Sequence, residues 1–272
     1  MTATNLEVIV DGDGHVFEDY AAITDHLPSF YKDNDAIPQL GIFPPLDHFH
    51  SARAGSTPGS RGRRGVKIGP DEWYAFMQDV GIDSTVLYPT HALAYGRIVS
   101  RDWAIDICRA YNDWLHQEYM LKSPRFQGMG LIPMQEPQAA VAELTRIVTE
   151  LGMCGAMLPA NGLPTHLGDP QYWPVYAEAD RLGCAIAVHG GCYGGLGFDN
   201  MNVYGAVHAF GQPFGQMISL GGMTFNGIFE RYPNVRFARD YPLGTVGATV
   251  LLLLVFVAAF APLVARYDPL IT

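Results

Sequence analysis

The chain has 272 residues, of which 49% are hydrophobic and 16% charged, enough apolar mass for a large buried core and too much for general disorder. Its formal net charge of −10 argues against nucleic acid as a partner, while leaving small anions free to bind at a metal. Four cysteines without paired spacing (Cys108, Cys154, Cys184, Cys192) fit reduced thiols in the cytoplasm, and the first residues lack the basic start and apolar core of a secretion signal.

Val8, Ile9 and Val10 form a short β-branched run of the kind that fills a buried parallel sheet. Asp11-Gly-Asp-Gly-His15 follows at once. Side chains alternate along a strand, so Asp11, Asp13 and His15 are expected on one side, where Asp13 and His15 could close on a single cation. Asp-Gly-Asp-Gly is also ordinary turn chemistry, and the residues alone leave the two readings open. Glu18 falls on the opposite face, as a structural carboxylate or one that supports the ligands.

Asp19 to Tyr31 reads as a short helix or turn, and residues 33–69 as a long solvated loop with Pro44-Pro45 and the basic cluster Arg61, Arg63, Arg64, Lys67. His48 and His50 lie inside it with no apolar strand before them, which favours a substrate contact over a metal bond. From Pro70 the chain alternates. Helices are expected over 71–80, from the cap Ser100 to 121, over 137–151 and over 170–182; strands over 84–89, 126–133, 154–159 and from Cys184 to His189. Trp103, Ile107, Tyr111 and Trp114 share a helical face and read as core. This alternation is that of a (β/α) barrel, whose catalytic groups sit at strand C-termini. His189 ends the fifth strand just before Gly190-Gly191, where a metal ligand would stand. Gly190 to Asn202 is a glycine-rich loop that brings Tyr193 to a substrate pocket, and His208, near the start of the next helix, either faces that pocket or caps the helix.

Asp-Gly-Asp-Gly-His-Val-Phe-Glu from Asp11 to Glu18 resembles the first barrel strand of the amidohydrolase-related metal-dependent hydrolases and decarboxylases. The stretch from Pro44 through Asp47 to His50 resembles their lid, and Phe225 to Phe237 resembles the helix leading to their sixth strand. The resemblance implies a TIM-type barrel with Asp13, His15 and His189 on one divalent metal, zinc by default and manganese as the alternative. It implies a small carbonyl or carboxylic acid substrate, hydrolysed or decarboxylated, with His48 and His50 touching the substrate or supporting the metal ligands; Tyr193 and His208 remain the further substrate-side candidates. Proton handling in that family belongs to a sixth-strand side chain and an eighth-strand aspartate.

The resemblance covers residues 1–238, where strand six is expected to begin at Val235, and residues 239–272 read differently. Gly244 to Ala265 carries no charge, and at about 1.5 Å per residue it is long enough to cross a bilayer. The alternative is a buried core helix. The tail resembles the first membrane segment of peptide- and nickel-transporter permeases. The expectation is therefore a barrel truncated after about strand six, followed by one transmembrane-like helix, with turnover impaired. The other reading is an inactive membrane-tethered remnant or the leading fragment of such a permease.

Overall fold

The computed structural model describes residues 8–32, 42–44, 68–198, 200, 201 and 203–236. The chain divides into two compact units, Met1–Val235 and Arg236–Thr272, and every described strand and helix belongs to the first. Five parallel strands are β1 (Val10–Val16), β2 (Ser84–Pro89), β3 (Phe126–Leu131), β4 (Gly155–Pro159) and β5 (Ala185–His189), and their spatial order is their chain order. The helices are α1 (Tyr20–Thr24), α2 (Ser29–Lys32), α3 (Pro70–Val80), α4 (Arg101–Leu115), α5 (Pro137–Thr149), α6 (Trp173–Leu182), α7 (Tyr204–Phe225) and α8 (Ile228–Arg231). A five-stranded parallel half-barrel with helical crossovers results, part of a TIM-type fold.

Local chemistry explains where the crossovers begin and end. Pro70 opens α3, Glu72 accepts the Gly69 N–H at 2.8 Å, and Gly81 closes the helix in the left-handed region. Ser100 accepts from the Trp103 N–H at 3.3 Å at the start of α4. Ile107, Tyr111 and Trp114 on α4 are buried, whereas Trp103 is partly exposed and meets Tyr31 edge to face. Asn112 ties α4 to the sheet by donating to the Leu131 carbonyl and accepting the Leu131 N–H, both at 2.8 Å. It also donates to Glu143, which Arg146 holds in turn, so this buried polar network is satisfied.

Several expectations change. Val8, Ile9 and Val10 are exposed rather than buried, because among the described residues β1 pairs only with β2 and forms a sheet edge. The β1–β2 register slips between Asp11 and Gly14, and the Asp11 carboxylate, instead of joining the Asp13 side chain, accepts the Thr85 hydroxyl at 2.8 Å and the Asp13 N–H at 3.2 Å. The expected solvated loop has an anchor: Ile42 and Phe43 are buried, and Phe43 meets Tyr20 and Tyr111 edge to face. Ser100's helix ends at Leu115 and continues as a π-helical turn, His116–Met120. Arg236, the last described residue, carries a single bridge, and the rest of the expected strand six lies outside the described residues. His48, His50 and Gly244 to Ala265 lie outside the described residues, among which no helix is long and apolar enough to cross a membrane.

Candidate metal centre

Parallel strands bring all their C-terminal ends to one side, and there Asp13, His15 and His189 converge. Each can offer an atom within 4.8 Å of the others. The Asp13 Oδ1 lies 3.6 Å from His15 Nε2 and 3.7 Å from His189 Nε2. Ligands held at about 2.0–2.2 Å from one ion sit about 3.0–3.5 Å apart, so the two pairs that involve Asp13 are within tenths of an ångström of ligand spacing, and the set as a whole closes on a cation with small side-chain rotations.

Both imidazoles are already oriented for that task. The His15 Nδ1 meets the Pro89 carbonyl at 2.6 Å and the His189 Nδ1 meets the Gly190 carbonyl at 2.6 Å. A carbonyl only accepts, so each Nδ1 carries the proton and each Nε2 turns a lone pair toward Asp13. Trp73 Nε1 donates to the His15 carbonyl at 3.1 Å and steadies the end of β1. Three acceptors facing one another call for a positive charge between them, which a divalent cation or a proton supplies. The residues present therefore fit a metal.

The electrostatics agree. His15 and then His189 hold the Asp13 carboxyl well below the usual carboxylate range, outweighing its partial burial. Burial lowers the His15 pKa, but Asp13, the Pro89 carbonyl and Glu18 together exceed that effect, and the net shift is upward. Without metal, the proton settles on the imidazole and the carboxylate stays ionised.

Tyr88, at the end of β2, bridges the two histidines, with ring centroids 6.1 Å from His15 and 5.9 Å from His189. Together with Ala187, Val188 and Gln216 it completes the lining of an open cavity of about 390 Å³ over Asp13, His15 and His189. Neither Tyr88 nor Gln216 stood out in the sequence. Tyr88 could have been found as a bulky residue one place before the end of a parallel strand, whereas nothing in the local pattern of α7 marks Gln216. Beside the cavity, the fully buried Glu18 carboxylate accepts N–H groups from Thr90, His91 and Ala92 at 3.0, 3.0 and 2.8 Å. It also lies 3.2 Å from His91 Nδ1 and raises that imidazole's pKa, against a smaller opposing effect of burial. This is the structural role expected of it.

Tyr193 is not a lining residue. It is 2% exposed and packs under α7, where its ring meets Gly211, because the glycine-rich loop folds inward. His208 stands on α7, and its side chain lies outside the described residues.

The sequence model of the amidohydrolase family (Amidohydro_2) matches residues 10–240. The chain belongs to the amidohydrolase family. It is 32% identical over 147 residues to 2-amino-3-carboxymuconate-6-semialdehyde decarboxylase of Dictyostelium discoideum, covering 54% of this chain and 40% of that protein. It is 36% identical over 114 residues to gamma-resorcylate decarboxylase of Rhodococcus jostii, covering 39% and 35%. These matches span less than half the length of either relative. Among solved structures, 5-carboxyvanillate decarboxylase of Novosphingobium aromaticivorans, with bound manganese and 3-methoxy-4-hydroxy-5-nitrobenzoic acid, superposes with a TM-score of 0.66 at 21% identity, over 84% of this chain and 64% of that one. The 2,6-dihydroxybenzoate decarboxylase from Rhizobium gives 0.58 at 22%, over 84% and 64%. At such identities these two likenesses speak for the fold.

Proposed function

We propose that this amidohydrolase-family chain is a metal-dependent decarboxylase of a small aromatic or similarly unsaturated carboxylic acid, with Asp13, His15 and His189 holding one divalent cation. The observation that carries the reading is the meeting of one carboxylate and two pre-oriented imidazoles at the C-terminal end of a parallel sheet. Decarboxylation is favoured over hydrolysis because the curated relatives are named as decarboxylases. The donor set suits zinc, but a carboxylate-bearing site is harder than an all-imidazole one, and two of the related solved decarboxylases, of dihydroxybenzoic acid and of 5-carboxyvanillate, contain manganese. When bound, such a cation polarises a carboxylate or carbonyl and orients it.

The chain's own residues then divide the work. Asp13 supplies the negative charge, while His15 and His189 contribute neutral nitrogens whose direction the Pro89 and Gly190 carbonyls set. Tyr88 gives the cavity an aromatic wall, and about 390 Å³ accommodates a single substituted ring. The test loads the full chain with manganese or zinc and offers 2,6-dihydroxybenzoate, 5-carboxyvanillate and a panel of esters and amides. Carbon dioxide release that vanishes in His189→Ala supports the proposal. Ester or amide turnover without carbon dioxide would move the chain to the hydrolases, and failure to bind a stoichiometric metal would remove the basis of both.

A further inference from the structure

Helix α7 packs beside the ends of β4 and β5 on a ridge of small residues spaced four apart, which therefore share one face. A Cβ on Gly211 would fall 2.7 Å from the Tyr193 ring, and one on Gly215 would lie 3.5 Å from the Ala160 Cβ. The buried Ser219 hydroxyl donates to the Ala160 carbonyl at 2.7 Å. The ridge seats the helix against the segment that follows β4. Gln216, next to Gly215, is thereby carried over the end of β5 and onto the rim of the cavity that contains Asp13, His15 and His189.

Among the described residues the amide of Gln216 is barely engaged. Its Nε2 lies 3.5 Å from the Val188 carbonyl, the outer limit of a hydrogen bond, so a ligand can take over that donor at little cost. An amide offers both donors and an acceptor and carries no charge. Asp13, His15 and His189 form one polar side of the cavity, with Asp13 carrying the negative charge, and Tyr88, Ala187 and Val188 form its walls. Of the side chains lining it among the described residues, Gln216 is the only amide.

We infer that Gln216 determines specificity by recognising an uncharged polar substituent, a hydroxyl above all, adjacent to the carboxylate of the substrate. This rests on the carboxylic acid reading of the site. A neutral amide cannot offset a second negative charge, so at the position that Gln216 reaches a hydroxyl is a better partner than a second carboxylate. A site built to bond a hydroxyl discriminates against an analogue that lacks it, because its own polar group is then left unpaired.

The test measures binding by calorimetry on the manganese-loaded full chain, using benzoate, 2-hydroxybenzoate and phthalate as probes. Wild type should bind 2-hydroxybenzoate more tightly than the other two. Gln216→Leu should weaken 2-hydroxybenzoate about three- to tenfold while leaving benzoate within about twofold, with manganese affinity unchanged. Gln216→Glu should weaken every probe by placing a like charge at the rim. The inference is overturned if Gln216→Leu weakens benzoate and 2-hydroxybenzoate equally, or leaves the preference intact. Wild-type binding without discrimination overturns the role of Gln216 alone, whereas a metal-loaded chain that binds no probe overturns the carboxylate reading with it.

Discussion

The rings of His15 and His189 meet edge to face, with centroids 5.1 Å apart and planes at 81°. They stand on β1 and β5, the first and last strands in the spatial order of the sheet. Four strand spacings of about 4.8 Å would separate those strands by roughly 19 Å in a flat sheet. The contact is therefore a product of barrel curvature, which turns the strand ends inward until side chains from opposite edges touch.

Removing one ligand should break the centre without breaking the fold. His189→Ala takes away one of three donors, and since disturbing only the hydrogen-bond partners of ligands costs about 10–100-fold in affinity, its loss should exceed 100-fold. Calorimetric titration with manganese or zinc measures the affinity, and circular dichroism checks that the helix content is retained. Affinity unchanged in this variant would exclude His189 as a ligand.

Metal binding should weaken on acidification, and the sign follows from His15. Its pKa is raised above the ordinary histidine value of 6.5 in the metal-free protein, whereas Asp13 is lowered and stays ionised through the same range. A proton on Nε2 competes directly with the cation. Affinity should begin to fall as the pH drops through the raised His15 value, above 6.5 rather than below it. Titrations from pH 8.5 to 5.5 read the midpoint, and a midpoint well below 6.5 would contradict the assignment.

Glu18 should matter more to stability than to metal binding. Glu18→Gln leaves one carbonyl oxygen where two carboxylate oxygens received three backbone N–H groups, and turns an NH2 toward those donors. Leaving such buried groups unsatisfied costs about 1–3 kcal/mol. Thermal and urea unfolding should show a loss of that size, with a raised fraction of chain that fails to load metal only because it is unfolded.

Gly155→Ala probes the seam behind His189. A Cβ at this position would collide with the Ala185 carbonyl on the neighbouring strand, and backbone cannot step aside as a flexible side chain can. Overpacking of this kind costs about 1–3 kcal/mol. Because Gly155 pairs with Ala185 at the base of the strand that ends in His189, metal affinity should fall together with the melting temperature. A lowered melting temperature with intact affinity would mean that the strain relaxes before it reaches the strand end.

Much of the fold was legible because crossover units announce themselves locally. Caps such as Ser100, proline at Pro70 and Pro137, and β-branched or apolar runs at regular intervals mark where each element starts, and Asp13, His15 and His189 sit at strand ends that the same pattern locates. Tyr193 was misplaced because a glycine-rich loop carries no periodicity from which to tell an inward ring from an outward one. Asp11 was misplaced because strict alternation fails at a register slip, where β1 advances three residues from Asp11 to Gly14 against two in β2.

Residue order alone thus determined the succession of strands and helices, the family, and the three metal-ligand candidates, since hydrophobic period, capping and short motifs act over a few residues. Only the folded sheet decided that the start of β1 is exposed, that Asp11 turns to Thr85 while Asp13 remains with the histidines, and that Tyr88 and Gln216 share their cavity. Those outcomes depend on contacts between segments distant in the chain, and no local pattern encodes the curvature that brings such segments together.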